Sequence, residues 1–123
     1  MENFYFNTFD GNKIFYRTWN FEKNKKTLII IHRGHEHSER LSELAQDEKF
    51  LKYNILAYDL RGHGYTETKT SPNAMDYVRD LASFVNHIKN KYQIKEEDIF
   101  IVANSIGGVI LSAYVHDFAP NIA

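Results

Sequence analysis

The sequence contains no cysteine, so it has neither a disulfide framework nor a thiolate nucleophile. It also has no excess of charge of one sign, because 15 basic residues face 16 acidic ones and the net charge is −1. A sequence with this balance of charge lacks the excess of basic residues typical of nucleic-acid binding, and it has no polybasic patch to recognise anionic lipid. We therefore expect neither partner.

Long apolar runs are also missing. No segment approaches the roughly 20 apolar residues of a membrane-spanning helix. The start of the chain, Met-Glu-Asn-Phe-Tyr-Phe-Asn, lacks the basic and then apolar pattern of a secretory signal. No repeat, linker or low-complexity segment divides the 123 residues, and 43% apolar content can supply one core. We expect a single small cytoplasmic domain.

What is present is a succession of strand patterns. Phe4–Thr8 and Lys13–Trp19 alternate polar with apolar residues on either side of Asp10-Gly11, which predicts an antiparallel hairpin. Thr27–Ile31 and Asn54–Tyr58 are continuously apolar or nearly so, which is typical of strands buried on both faces of a parallel sheet. The chain therefore opens with a hairpin and continues into a parallel sheet.

Helical patterns separate the later strands. One helix is predicted after Ser38 as N-cap, and a second after Ser71-Pro72. The second carries a single apolar stripe from Tyr77 to Tyr92, with Asp80 off the stripe. The resulting order, β-β-β-α-β-α-β-α, predicts a doubly wound α/β sheet with three parallel strands.

The stretch that carries chemistry follows the last strand pattern. Ile99–Ala103 is an apolar, β-branched run that stops at Asn104-Ser105, and Gly107-Gly108 then opens a helix that continues to about Asp117. Ser105 is thus predicted at a sharp turn at the carboxyl end of a parallel strand, where open α/β sheets bind ligands. It also lies beside the positive end of a helix. We interpret Ser105 as a nucleophile.

Three segments together resemble the amino-terminal half of an α/β-hydrolase. They are His32 with Arg33-Gly34-His35-Glu36-His37-Ser38, Tyr58-Asp59-Leu60-Arg61-Gly62-His63-Gly64, and Asn104-Ser105-Ile106-Gly107-Gly108. The resemblance is to the monoacylglycerol lipase and lysophospholipase group and runs from about Asn3 to Ala123. It implies a sheet order of 1-2-4-3-5 with further strands, no cofactor, and hydrolysis of a small-molecule or lipid ester through an acyl-enzyme.

The resemblance also assigns roles to five residues. Ser105 is the nucleophile, and the backbone N–H groups of Gly34 and Ile106 form the oxyanion hole. The positions two before and two after the serine must be very small so that strand and helix can approach. Gly107 meets this condition, and Ala103 stands where the family usually has glycine, adding one methyl group.

The residues that would activate Ser105 are not in the sequence. In this family the acid and the histidine follow the serine, and 18 residues follow it here. His116, the one histidine among them, falls roughly 16 Å along the next helix, too far for a hydrogen bond. We therefore expect the triad aspartate and histidine beyond Ala123. On this interpretation 1–123 is the amino-terminal portion of one domain and is inactive alone.

Upstream histidines raise two further hypotheses, a substitute base and a metal site. They are His32, His35, His37 and His63, and the first three lie beside Glu36 in a ligand-like group. The family resemblance already explains these loops, so we predict neither role and no metal.

Other polar residues receive structural interpretations. Asp59 and Arg61 are expected to form a buried or half-buried polar network, and His87 and His116 to be surface or boundary residues. Arg33 replaces a glycine of the family and would either reshape the loop or add positive charge at the mouth of the site.

Three functional classes stay open. They are an ester hydrolase on Ser105, an acyltransferase or thioesterase on the same elbow, and a non-catalytic module if the chain acts alone. If a further strand normally follows Ile99–Ala103, the chain alone has an unpaired apolar sheet edge and is expected to self-associate through it.

Overall fold

The computed structural model describes residues 2–19, 21–22, 25–32, 41, 52–61, 74–103 and 106–123. Its elements are β1 (Glu2–Asn7), β2 (Lys13–Trp19), β3 (Lys26–Ile31), β4 (Tyr53–Tyr58), α1 (Ala74–Tyr92), a 3₁₀ turn (Glu96–Asp98), β5 (Ile99–Ala103) and α2 (Ile106–Phe118). Every strand predicted from the sequence is confirmed, with small differences in the ends of three. The helix predicted after Ser38 and the helix start predicted at Ser71-Pro72 lie outside the described residues.

The five strands form one sheet in the order β1-β2-β4-β3-β5. β1 pairs with β2 and β2 with β4 in antiparallel fashion, whereas β3 lies parallel to both β4 and β5. This is the order that the family resemblance implies. Because β3, β4 and β5 are parallel, their carboxyl ends, at Ile31, Tyr58 and Ala103, lie at the same end of the sheet.

The hairpin turn between β1 and β2 forms as its sequence predicts. Gly11 has φ of +79°, a left-handed conformation that glycine adopts without strain. The Thr8 N–H donates to the Asn12 carbonyl at 2.8 Å, and the Asn12 N–H donates to the Thr8 hydroxyl oxygen at 3.1 Å. The turn is therefore closed by backbone and side-chain bonds together.

Buried apolar clusters lie on both faces of the sheet. Along β3, Ile29 and Ile31 face the larger cluster, which α1 and α2 cover, while Leu28 and Ile30 belong to the second cluster on the opposite face. Strands buried on both sides explain why the β3 and β4 segments are almost entirely apolar. No helix among the described residues is long and apolar enough to span a membrane.

The apolar stripe of α1 is confirmed, but the position of one residue is not as expected. Val78, Leu81 and Phe84 are buried on the sheet. Asp80, which the helical pattern places off the stripe, has only 1% of its surface exposed. A carboxylate is tolerated there because it is paired with Arg61.

After α2 the chain returns to the sheet. The Asn121 N–H donates to Glu96 Oε2 at 2.6 Å, and the Ala123 N–H donates to the Ile99 carbonyl at 3.0 Å. The segment 119–123 therefore lies against the amino end of β5. The remainder of β5 pairs with β3 along one side.

Candidate active site

The candidate site is built on the junction between β5 and α2. The strand ends at Ala103 and the helix begins at Ile106, with two residues between them. Those residues, Asn104 and Ser105, lie outside the described residues, and the nucleophilic role of Ser105 stays a prediction. β5, the strand that ends two residues before it, is parallel to β3, and β3 is in turn parallel to β4.

Close packing surrounds this junction. A Cβ at Gly107 would lie 2.9 Å from Cγ2 and 3.2 Å from Cβ of Ile31, and 3.3 Å from the Ile31 carbonyl oxygen. Ala103 is paired with the same Ile31 in the β3–β5 register. A Cβ at Gly108, by contrast, would approach no other element of the described chain within 4 Å. Of the two glycines, it is therefore Gly107 that must lack a side chain for α2 to approach β3.

Of the two predicted oxyanion donors, one lies in a described element. Ile106 is the first residue of α2, where backbone N–H groups have no acceptor within the helix and point toward the positive end of its dipole. Such a group can donate to a developing oxyanion. Gly34, the second predicted donor, lies outside the described residues, two positions after His32, and its role also stays a prediction.

His32 follows the last residue of β3 and is 1% exposed. Its Nε2 accepts a hydrogen bond from the Leu60 N–H at 2.9 Å. An imidazole nitrogen that accepts an N–H carries a lone pair, so the ring is neutral with its proton on Nδ1. Nε2 of His32 is therefore occupied and does not act as a base toward a serine hydroxyl.

The other upstream histidines, His35, His37 and His63, lie outside the described residues, as does Glu36. Within the ranges that the structure describes, no three His, Asp or Glu side chains are close enough to hold a metal ion. His87 is half-buried on α1, and its Nε2 lies 3.1 Å from the Tyr16 hydroxyl. It is a boundary residue, as predicted.

Arg61, just after β4, is the buried centre of an ionic network that also includes buried Asp80 and exposed Asp10. Its Nε and one Nη donate to both carboxylate oxygens of Asp80 at 2.5 and 2.8 Å. Its two Nη atoms also donate to both oxygens of Asp10 at 2.7 and 2.8 Å. The polar network predicted for Arg61 is confirmed, and it joins the end of β4 to α1 and to the hairpin turn. Asp59 is fully buried next to it, and its N–H donates to the Phe15 carbonyl at 2.9 Å.

Hydrogen bonding and burial together shift the pKa values of Asp10, Arg61 and Asp80. Hydrogen bonds from Arg61 hold the pKa of the Asp10 carboxyl well below its usual range. The hydrogen bonds that Arg61 donates to Asp80 and to Asp10, named in order of their effect, raise the pKa of the Arg61 guanidinium. Burial raises the pKa of Asp80, and the bonds from Arg61 oppose that rise. The paired, fork-like geometry is that of an arginine bound to ionised carboxylates, so we treat all three groups as charged.

A cavity of about 540 Å³ lies at the opposite end of the sheet. Its walls include Lys26 and Asn54, near the starts of β3 and β4. They also include Tyr92, the last residue of α1, and Lys95, which precedes the 3₁₀ turn. Since ligands of open α/β sheets bind at the carboxyl ends of the strands, we do not assign this cavity to the substrate.

Comparison with known proteins identifies the family. Residues 22–123 match the family described as serine aminopeptidase, S33. The chain belongs to this family of α/β hydrolases. The fold class and the resemblance predicted from the sequence are both confirmed.

Individual relatives of the chain are considerably longer than it is. It is 35% identical to the uncharacterized protein YnbC of Escherichia coli over 96% of its own length and 21% of that protein's. It is 32% identical to a monoglyceride lipase homolog of Monkeypox virus, over 82% of the chain and 37% of the viral protein. The chain thus spans well under half the length of these relatives.

The solved structures agree on the fold. An α/β hydrolase from Novosphingobium aromaticivorans superposes with a TM-score of 0.80 at 18% identity, over 99% of this chain and 41% of that one. At that level of identity the likeness concerns the fold alone.

Two features at the carboxyl ends of the parallel strands were not predicted from the sequence. One is the pairing of Arg61 with Asp80 and Asp10. The other is the hydrogen bond that the Leu60 N–H donates to His32. The first had a detectable signal. Asp80 stands four residues before Phe84, at the border of the apolar stripe, where a carboxylate that becomes buried needs a cation as partner.

Proposed function

We propose that this chain carries the nucleophile of a serine hydrolase that cleaves carboxylic esters, with Ser105 as the attacking residue. The observation that carries the proposal is the β5–α2 junction. The strand ends at Ala103, the helix starts at Ile106, and Gly107 packs where no side chain fits. A reversal of this kind leaves Ser105 between a parallel strand end and a helix N-terminus, the arrangement of a nucleophile elbow.

The proposed reaction proceeds in two steps. The Ser105 oxygen attacks the ester carbonyl carbon while a histidine takes its proton, and the oxyanion accepts hydrogen bonds from the Ile106 and Gly34 N–H groups. The carbonyl re-forms as the alcohol leaves with the proton from the histidine, and an acyl-enzyme remains. Water then attacks the acyl carbon, with the same histidine as base, and releases the carboxylic acid and free Ser105.

We place the triad aspartate and histidine beyond Ala123. The location of His116 supports this placement, because its side chain is 88% exposed and its Nδ1 bonds to Asp117 at 2.9 Å. The relatives provide room for both residues, since the chain covers only 21% and 37% of their lengths.

Lipid-like monoesters, such as monoacylglycerol or lysophospholipid, are the proposed substrates. The viral relative, named as a monoglyceride lipase homolog, supports this class. Products formed with and without an added alcohol or thiol acceptor distinguish hydrolysis from acyl transfer. Hydrolysis predicts the free acid as the main product under both conditions.

A serine-directed fluorophosphonate tests the nucleophile. In the naturally expressed protein, the Ser105 oxygen should attack phosphorus, expel fluoride and form a phosphonyl ester that peptide mass spectrometry locates. Ser105→Ala should abolish the label. Ser112→Ala, at an exposed serine of the same helix, should leave it unchanged. A wild-type protein without label at Ser105 would refute the proposal.

The chain alone should behave differently. We propose that residues 1–123 lack turnover even with an activated ester and self-associate through the edge of β5. The edge supports this because the Ala123 N–H bonds to Ile99, at the amino end of β5, while Val102 further along the strand is 51% exposed. Val102→Lys should shift the light-scattering mass toward the monomer. A stable wild-type monomer would contradict self-association.

A further inference from the structure

We propose that four polar side chains between the β1–β2 hairpin and α1 form a pH-sensitive latch. The latch consists of Tyr16 on β2 and of His87, Lys91 and Tyr92 on α1. While His87 is neutral, the latch holds the edge strand β1 against α1. When His87 takes up a proton, Lys91 leaves the latch and β1 loosens. The latch is independent of the role proposed for Ser105.

Three polar groups meet at the hydroxyl of Tyr16. His87 Nε2 and the Tyr92 hydroxyl each lie 3.1 Å from its oxygen, and Lys91 Nζ lies 3.2 Å from it. An ammonium only donates, so Lys91 takes one of the two lone pairs of this oxygen. Burial and then the hydrogen bond with Tyr92 raise the pKa of Tyr16, so the hydroxyl keeps a proton to donate. A neutral His87 accepts that hydrogen bond, and Tyr92 donates to the second lone pair.

Aromatic rings surround the Lys91 ammonium. Its Nζ lies 3.7 Å from the centre of the Phe4 ring, 5.2 Å from that of Tyr92 and 5.7 Å from that of Tyr16. A cation within about 6 Å of a ring centre is attracted to the ring face. Phe4 belongs to β1, the strand at one edge of the sheet. Lys91 therefore links that edge strand to α1.

Protonation of His87 would place a second cation on the same oxygen. Nε2 would then donate to Tyr16, whose own O–H would have to turn away. Two positive groups within hydrogen-bond distance of one atom disfavour each other. His87 is half-buried, and its ring centre lies 5.5 Å from those of Phe6 and Tyr16. Lys91 is exposed and has a flexible stem, so Lys91 is the group that leaves.

The charged and titratable groups around His87 determine the direction of the response. β2 presents Tyr16, and α1 presents Lys91 and, across the Tyr16 hydroxyl, Tyr92. The same face of β1 carries two phenylalanines and, at its exposed start, Glu2. Burial and then the charge of Lys91 lower the pKa of His87 from 6.5. The latch should therefore be closed above pH 6.5 and open as the pH falls through the lowered pKa.

An NMR titration of the naturally expressed protein, with labelled histidine and lysine, tests the latch. At neutral pH the Phe4 ring should shift the ε-methylene protons of Lys91 upfield. That shift should disappear with the same midpoint as the titration of His87. In His87→Gln it should persist over the whole range, because glutamine accepts from Tyr16 and does not titrate. A wild-type Lys91 shift that stays constant while His87 titrates would overturn the latch.

Two lysines of α1 give a matched pair of variants. Lys89 Nζ donates to Glu96 Oε1 at 2.9 Å, and Lys89 and Lys91, two residues apart, point to different sides of the helix. Lys91→Met should raise the pKa of His87 toward 6.5. Lys89→Met, which removes the same charge, should leave the pKa of His87 close to that of the wild type. An equal rise in both variants, or a rise in neither, would overturn the coupling of Lys91 to His87.

Hydrogen exchange of the naturally expressed protein measures the loosening of β1. After correction for the intrinsic effect of pH, a peptide from β1 should exchange several-fold faster below the pKa of His87 than above pH 6.5. A peptide from β3, which is paired on both sides, should show no such change. His87→Gln should remove the acceleration in β1. Equal acceleration in β1 and β3, or none in β1, would overturn the release of the edge strand.

Discussion

Gly107 and Gly108, adjacent in the first turn of α2, should respond in opposite directions to substitution by alanine. The added Cβ at 107 would lie 2.9 Å from Ile31 Cγ2 and 3.3 Å from the Ile31 carbonyl oxygen. Ile31 has little freedom to retreat, because it is fully buried, β-branched and paired with Ala103. At 108 the same Cβ would meet no other element of the described chain within 4 Å.

The expected magnitudes follow from two opposing effects. Overpacking a core contact costs about 1–3 kcal/mol, and alanine in place of glycine within a helix gains about 0.5–1 kcal/mol. Gly107→Ala should therefore lose about 1 kcal/mol, and at most about 2.5 kcal/mol, in the free energy of unfolding. Gly108→Ala should gain up to about 1 kcal/mol. At about 3–6 °C per kcal/mol for a domain of this size, the melting temperatures should separate clearly.

Urea unfolding followed by circular dichroism measures both variants. If the slopes match that of the wild type, the midpoints should move in opposite directions. Ile31→Ala removes Cγ2, so Gly107→Ala should cost less in that background, with a coupling of about 0.5–3 kcal/mol. Midpoints that shift in the same direction, or the absence of coupling to Ile31, would refute the steric explanation.

Two predictions concern charged groups. Asp80→Asn removes one of the two carboxylates that bind Arg61. It should lower the free energy of unfolding in urea by about 3 kcal/mol, the low end for a broken buried pair, because Asp10 remains. A loss within error of zero would contradict the buried ion pair. Burial and then the charge of Lys91 lower the pKa of His87 from 6.5. The folded protein resists protonation of His87. The contribution of this group to stability is therefore fully present above about pH 6.5 and is lost as the pH drops toward the lowered pKa. His87→Gln should remove that fall from the pH dependence of the melting temperature, and parallel curves for the two proteins would contradict it.

Local patterns were sufficient to predict the individual elements. The Asp10-Gly11 turn, the apolar run of β3 and the stripe of α1 each arise from neighbours in sequence, through turn conformation, burial on two faces and helical periodicity. The strand order has another origin. β4 lies between β2 and β3, and this pairing of distant segments came from the family resemblance rather than from any local pattern.

Buried polar contacts were the least predictable part of the fold. Asp80 and Asp10 lie 19 and 51 residues from Arg61 in sequence, and only the packed structure brings the three together. Helical periodicity classed Asp80 as off the stripe because it weighs hydropathy alone. A charged side chain is buried only where a partner pairs with it, and that depends on tertiary contacts.

The distribution of these contacts connects fold and function. At the carboxyl ends of the parallel strands, the Asp59 N–H bonds to β2 and the Leu60 N–H bonds to His32. Arg61, the next residue, bonds to α1 and to the hairpin turn. Three consecutive residues are thus each bound to a different part of the fold. A strained turn and an oxyanion hole keep their geometry only if rigid elements support them. Substitutions that loosen this tripeptide should therefore reduce the labelling rate of Ser105 by more than their cost in stability explains.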